Sequence, residues 1–196
     1  MKIYLIRHGE TTSDVEDLYG GTFDDHLTEK GQKQAKELAN KLLDKEIQII
    51  FSSPYIRAKE TSNILKEFLK CDVQMANDTR ERNSYGFLSG TSKDKAKKEY
   101  PEIYKGLKDC HFTIEGGEKY DDFTNRIRNA FNAVINSDYK RIAIVTHGGP
   151  IRCLFRDVLK FGEFEGGIGD CMVVEFEKND SGFRIINIYG AKLAQK

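Results

Sequence analysis

Two short apolar runs in this sequence stop at the same dipeptide. Ile3-Tyr4-Leu5-Ile6 leads into Arg7-His8-Gly9, and Ile142-Ala143-Ile144-Val145-Thr146 leads into His147-Gly148-Gly149. Runs of this length and β-branched content read as buried strands, and arginine, imidazole and glycine at their carboxyl ends pack poorly in a core. They suit a cleft that holds an anion, because open α/β sheets bind ligands outside the carboxyl ends of their strands.

The stretches between the two runs set the fold class. Thr11 to His26 has no sustained periodicity and contains Gly20-Gly21 and Asp24-Asp25, so it reads as a long loop of functional type. Thr28 can cap a helix with Ala35, Leu38, Ala39, Leu42 and Leu43 on one face. Ile47–Phe51 reads as a strand, and a helix follows with Ser53 as N-cap, Pro54 in its first turn and Thr61, Ile64, Leu65, Phe68 and Leu69 as its stripe. A weak strand is expected around Val73. Residues 78–117 are irregular, with a short helix from Thr91 that Pro101 interrupts. Another helix carries Phe123, Ile127, Ala130, Phe131 and Val134, and Pro150 opens a helix with Ile151, Leu154, Phe155 and Val158 facing inward. Cys171–Glu177 and Phe183–Tyr189 form a terminal hairpin around Asn179-Asp180-Ser181-Gly182. Strands alternating with helices give a three-layer α/β/α sandwich with a mostly parallel central sheet. The expected organisation is one domain over residues 1–196, with 78–117 as a cap or variable segment.

Bulk properties narrow the partners. The 31 Lys and Arg residues equal the 31 Asp and Glu residues, so no global field draws the chain to nucleic acid or to an anionic membrane. Affinity for an anion must be local. No apolar stretch is long enough to span a bilayer, and Ile3–Ile6 is too short for the core of a signal peptide. Cys71, Cys110, Cys153 and Cys171 are widely spaced with no CxxC pair, which reads as a reduced cytoplasmic protein without a metal–thiolate site. The hairpin edge is a place where a homodimer could pair across a two-fold axis.

The chemistry follows from residue types. A neutral imidazole is a nucleophile near pH 7 and can carry a phosphoryl group, splitting one transfer into two easier steps. Arg7 can aim its fork at that phosphate, Arg57 lies near a helix N-terminus that favours anions, and His147 can donate to developing charge. A proton donor for the leaving oxygen is still needed, and Glu81 within Asp78-Thr79-Arg80-Glu81-Arg82-Asn83 is the candidate. Arg80 and Arg82 would lower its pKa and burial would raise it. His26 and His111 read as structural or surface residues, and Glu10 and Thr11 as supports of the loop.

These residues resemble the histidine phosphatase superfamily, with its phosphoglycerate-mutase-like fold. Arg7-His8-Gly9-Glu10-Thr11 is similar to its signature, and Asp24-Asp25-His26-Leu27-Thr28-Glu29-Lys30-Gly31 to its D-x-P-L-T-x-x-G stretch. Ser52-Ser53-Pro54-Tyr55-Ile56-Arg57-Ala58-Lys59-Glu60-Thr61 matches S-S-P-x-x-R-A-x-E-T, and Thr146–Arg152 the segment of the second histidine. The resemblance implies a phosphorylated nucleophile at His8, a proton donor and then base at Glu81, and catalytic assistance from His147. It implies a phosphate site of Arg7, Arg57, His147 and Gly148, with Asp14 beside it, and neither metal nor cofactor. Three departures stand out. Asp14 occupies the place of an asparagine that donates to the phosphate. Gly20-Gly21 replaces a Gln-Gly or Thr-Gly pair, and Glu81 and Gly86 lie one residue further apart than in E-R-x-[FY]-G. Between Glu81 and His147 there is no Arg-Arg pair of the kind that holds a second phosphate in the mutases, and Glu115-Gly116-Gly117-Glu118 resembles the G-G-E of the compact phosphatases. The expected activity is hydrolysis of small phosphorylated metabolites. A phosphoglycerate mutase or phosphotransferase, and a non-catalytic phospho-ligand module, are the alternatives.

Overall fold

The computed structural model describes residues 1–194. Six strands form one sheet in the order β3-β2-β4-β1-β6-β7, with β1 Lys2–Arg7, β2 Ile49–Ser52, β3 Asp72–Met75, β4 Arg141–Thr146, β6 Val173–Asn179 and β7 Gly182–Tyr189. The strands β1 to β4 are mutually parallel, and β6 and β7 add as an antiparallel hairpin on the β1 side. The α/β fold with a mostly parallel sheet is therefore the one observed. A separate two-residue pair, β5 Phe164–Glu165 with β8 Lys192–Leu193, lies outside this sheet and had no signal in the sequence.

Both faces of the sheet are buried, and alternate residues go to alternate layers. Ile3, Leu5, Ile142, Ile144 and Phe176 face α6 (Tyr120–Ile135), through Phe123, Ile127, Phe131 and Val134, together with the segment after β4. Tyr4, Ile6, Ile50, Ala143 and Val145 face α2 (Glu29–Lys41) and α3 (Ile56–Leu69). The Thr28 hydroxyl accepts from Gly31 N at 3.0 Å, as expected of an N-cap. Leu43 departs from the reading: α2 ends at Lys41, and Leu43 sits in a 3-10 turn at 55% exposure.

Other boundaries also differ. The loop after β1 contains a short helix, α1 (Thr12–Val15), closed by a reciprocal capping box between Thr11 and Asp14. Tyr55, not Ser53, is the N-cap of α3, and Asp24 Oδ1 reaches from the distant loop to accept from Ile56 N at 2.6 Å. The helix after β4 starts at Gly148 (α7, Gly148–Cys153) and then widens into a π-helical turn over Leu154–Val158. Within 78–117 lie α4 (Lys93–Glu99) and α5 (Pro101–Gly106), the second begun by the proline that ends the first. This segment has a small core of its own, in which Leu88, Ala96 and Ile114 close over Tyr19. All four cysteines are free, and among the described residues no helix is long and apolar enough to cross a membrane.

Candidate active site

Strands β1 and β4 are adjacent and parallel, in register from Lys2↔Arg141 to Arg7↔Thr146, so their His-Gly ends emerge side by side. The His8 and His147 rings lie 5.1 Å apart, centroid to centroid. Around them a cleft of about 420 Å³ is lined by Arg7, His8, Asp14, Gly20, Gly21, Asp25, Arg57, Glu81, Tyr85 and Gly148, among others. The two strand ends, the start of α3, the start of α7 and the segment carrying Glu81 thus converge on one place.

His8 is buried, and its Nδ1 lies 2.8 Å from Gly9 O. A carbonyl only accepts, so Nδ1 carries the proton and Nε2 keeps its lone pair. Burial, followed by the charges of Arg57 and Arg7, holds the His8 pKa well below the ordinary histidine value. The ring is therefore neutral and nucleophilic at neutral pH. Its loop is pinned at close quarters: a Cβ on Gly9 would stand 2.6 Å from Gly31 O, and Gly9 N donates to Thr61 Oγ1 at 3.2 Å. Glu10 supports this loop, as expected, by accepting from Thr28 Oγ1 at 2.8 Å and Lys30 Nζ at 2.6 Å.

His147 has the opposite tautomer. Arg57 Nε donates to its Nδ1 at 3.2 Å, so the proton sits on Nε2, which lies 2.6 Å from Ser53 Oγ. The Ser53 hydroxyl meets this histidine and also accepts, at 3.4 Å, from the N–H of Tyr55, the N-cap residue. Burial and the Arg57 charge hold His147 neutral as well. Both ring nitrogens are thus occupied by protein partners, an arrangement the sequence did not reveal.

Arg57 is equally engaged. Its Nη1 donates to Phe23 O at 2.7 Å and Asp25 Oδ1 at 2.9 Å, and its Nη2 to Gly21 O at 2.8 Å. Asp25 is the site residue that sequence reasoning missed. Burial pushes its carboxyl up, but hydrogen bonds from Ser13 and Thr11 and the Arg57 charge outweigh this and leave it below the usual carboxylate range. Its only signal was a doubled aspartate in a polar loop.

Arg7 reaches Ile168 O at 2.5 Å, Asp170 at 3.0 Å and Asp14 at 3.3 Å. Asp14 divides its carboxylate. Oδ2 accepts from Thr11 N at 3.0 Å and Thr11 Oγ1 at 2.8 Å, while Oδ1 pairs with Arg7. The residue that departs from the asparagine pattern is therefore the capping-box partner of Thr11 and an ion-pair partner of Arg7.

The competition over Glu81 is decided by geometry. Arg80 turns outward to Asp78 at 2.7 Å, and Arg82 points into the cap, where it donates to Glu118 O at 3.0 Å and Cys110 O at 2.5 Å. Neither flanking arginine pairs with Glu81. Its oxygens accept only backbone N–H groups, from Arg82 at 2.8 Å and Gly149 at 3.0 Å. Burial dominates and raises the Glu81 pKa against the pull of those N–H groups and of Arg57 and Arg7. A Cβ at Gly149 would meet the Glu81 carboxylate and push it from its present position, so glycine here leaves the acid its place. The extra residue before Gly86 is absorbed by Asn83, whose Oδ1 accepts from Gly86 N at 3.0 Å, with Gly86 at φ +47°. Tyr85 then lines the cleft, and a Cβ at Gly21 would stand 2.7 Å from its ring, which explains the second glycine of Gly20-Gly21. His26 is exposed and pairs with Glu60 at 2.7 Å, away from the histidine pair.

The sequence matches the histidine phosphatase superfamily (branch 1) over residues 3–189. The chain belongs to that family. This histidine phosphatase, an enzyme of the phosphatase class, is 33% identical over 160 residues to phosphoglycerate mutase-like protein 4 of Arabidopsis thaliana, covering 79% of this chain and 69% of that one. It is also 33% identical over 161 residues to the metal-independent phosphoserine phosphatase of Arabidopsis thaliana, covering 79% and 67%. Among solved structures, Bacillus stearothermophilus YhfR superposes on it with a TM-score of 0.85 at 25% identity, covering 98% of each chain.

Proposed function

We propose that this protein is a metal-independent phosphomonoester hydrolase of small phosphorylated metabolites that works through a phosphohistidine on His8. The observation that carries the reading is the pairing of two differently tuned groups in one cleft. His8 is held neutral with Nε2 free, and Glu81 is a half-buried acid without an arginine partner, its pKa raised by desolvation. In the first step Nε2 of His8 attacks phosphorus, the P–O bond to the leaving group breaks, and the Glu81 carboxyl gives its proton to the departing oxygen. In the second, the Glu81 carboxylate takes a proton from water. The water oxygen attacks phosphorus, the P–N bond breaks, and inorganic phosphate leaves with His8 restored.

Charge on the transferring group is met by Arg7 and Arg57 and by the backbone N–H of Gly148, since the Gly149 N–H is held by Glu81. His147 supports the transfer by fixing Arg57 through its Nδ1. Asp14 and Asp25 share these arginines, which leaves the cleft a restricted positive charge suited to a single phosphate. The absence of an Arg-Arg pair between Glu81 and His147 favours hydrolysis over transfer to a second phosphate-bearing substrate.

The test is turnover of an aryl phosphate in excess chelator, wild type beside His8→Ala, with acid-labile phosphoenzyme trapped. Turnover and label should both vanish in the variant. A His8→Ala enzyme that still forms the label, or a wild type that needs added metal, would sink the reading.

A further inference from the structure

The backbone on both sides of Glu81 is held by side chains. Before it, three successive carbonyls are taken: Arg126 Nη1 donates to Asp78 O at 2.7 Å and to Arg80 O at 3.0 Å, and Thr146 Oγ1 donates to Thr79 O at 2.6 Å. After it, Arg82 anchors in the cap and Asn83 O accepts from Glu118 N at 2.8 Å. The two sets meet at Glu118, whose carboxylate receives Nε and Nη2 of Arg126, both at 2.7 Å, and whose carbonyl receives Arg82 Nε. Arg126 has 9% of its side chain exposed and lies over the Phe123 ring at 5.2 Å. A bidentate, enclosed Arg–carboxylate pair is the kind that fixes geometry as well as contributing energy.

This girdle is more than one segment needs to stay folded. The 3-10 turn over Asn77–Thr79 leads directly into Glu81, and the carboxyl itself is steered only by two backbone N–H groups. A proton donor must lie within hydrogen-bond reach of the leaving oxygen, so its placement depends on whatever holds its backbone. Building on the phosphohydrolase reading, we propose that the Arg126–Glu118 pair is the positioning device of the proton donor. Arg126 touches no reacting atom; it fixes the height of Glu81 above the histidine pair. Loosening it withdraws proton delivery and leaves nucleophilic attack and phosphate binding in place.

That separation can be measured through the leaving group. An aryl oxide leaves with little protonation, whereas an alkoxide must be protonated. General acid assistance of about 10²–10⁴-fold is therefore at stake only for the second class. The experiment measures kcat/KM, which covers only the steps up to departure of the leaving group, for p-nitrophenyl phosphate and for glycerol 2-phosphate in wild type, Arg126→Met, Arg126→Lys, Glu118→Gln and Glu81→Gln. Arg126→Met should lower kcat/KM on the alkyl ester by about 30-fold and change it on the aryl ester by less than about threefold, while kcat on both esters falls together wherever phosphoenzyme hydrolysis, which also uses Glu81, limits turnover. Arg126→Lys keeps the charge but not the fork and should restore only a minor part of the loss. Glu118→Gln should show the same split at smaller size, and it carries the test if Arg126→Met does not fold. Equal losses of kcat/KM on both esters, or no effect on it, would overturn the proposal. Glu81→Gln tells the two failures apart. If it splits the esters and the Arg126 and Glu118 variants do not, the positioning role is wrong. If Glu81→Gln does not split them, the acid role of Glu81 falls and this inference falls with it.

Discussion

Removing the Asp25 carboxylate isolates the Arg57 guanidinium inside the protein. The pair is 2.9 Å apart, with side chains 4% and 2% exposed. Breaking such a pair by deleting one partner costs about 3–5 kcal/mol, because the remaining charge stays buried. Arg57 keeps the carbonyls of Phe23 and Gly21 and Nδ1 of His147, which argues for the lower end of that range. Ser13 N, however, loses the acceptor it holds at 3.1 Å, worth about 1 kcal/mol more. Asp25→Ala should therefore destabilise by about 3–4 kcal/mol and lower Tm by about 10 °C in a chain of this size. Asp25→Asn retains an acceptor but no charge, and should cost about 2 kcal/mol. Urea unfolding at pH 7.5 with a calorimetric Tm is the assay. A loss below about 1 kcal/mol for Asp25→Ala would refute the reasoning, because it would mean that Arg57 needs no counter-charge.

Three further outcomes are expected. Asp14→Asn relieves Arg7 of one half-exposed partner while an amide oxygen can still cap α1, so KM should fall about threefold with kcat nearly unchanged; a rise in KM would contradict the pairing. Gly31→Ala drives a Cβ into the Glu10 backbone and displaces the loop that carries His8, so kcat should fall by at least about tenfold with α2 still formed, by circular dichroism and aryl phosphate turnover. His8 and His147 refuse the proton that the unfolded chain takes up near pH 6.5. Stability should therefore fall as pH drops below that value, with each histidine adding up to about 1.4 kcal/mol per pH unit until its folded pKa is reached. Glu81, raised in the fold, has the opposite sign: its contribution is complete below about 4.5 and is lost as pH rises towards its folded pKa. The clean readout is thus the difference between wild type and His8→Asn, and an identical pH slope in the two would contradict buried, neutral His8.

The parts of this site that lie on regular elements were legible, and the parts that depend on long-range hydrogen bonds were not. A strand that ends in His-Gly announces where its histidine emerges, and two parallel neighbours place both histidines together. Local signals failed where a side chain had work elsewhere. Ser53 looks like a helix cap but serves His147, while Asp24 satisfies the helix from a loop 32 positions away. Asp14 looked like a misplaced charge because its capping partner, Thr11, sat in a stretch without periodicity. Asp25 has no more than a doubled aspartate within a matched stretch to mark it, and Arg126 has no pattern at all. The first lies in a polar loop and the second on the flank of an apolar helical stripe, and only the folded backbone shows what each one holds.

The strand that delivers His8 is central in the sheet yet comes first in the chain. Its register partner in β4 lies 139 positions downstream, from Lys2 to Arg141, and its other neighbour, β6, is later still. At a synthesis rate of about 5–20 residues per second, β1 waits roughly 10–30 s on the ribosome for its first neighbour. During that wait the residues of α2, α3, β2 and β3 are synthesised, while Ile3, Tyr4, Leu5 and Ile6 have neither of their strand neighbours. Assembly of the site therefore waits on β6, when the strand that carries His8 is enclosed between two strands made more than 100 residues after it.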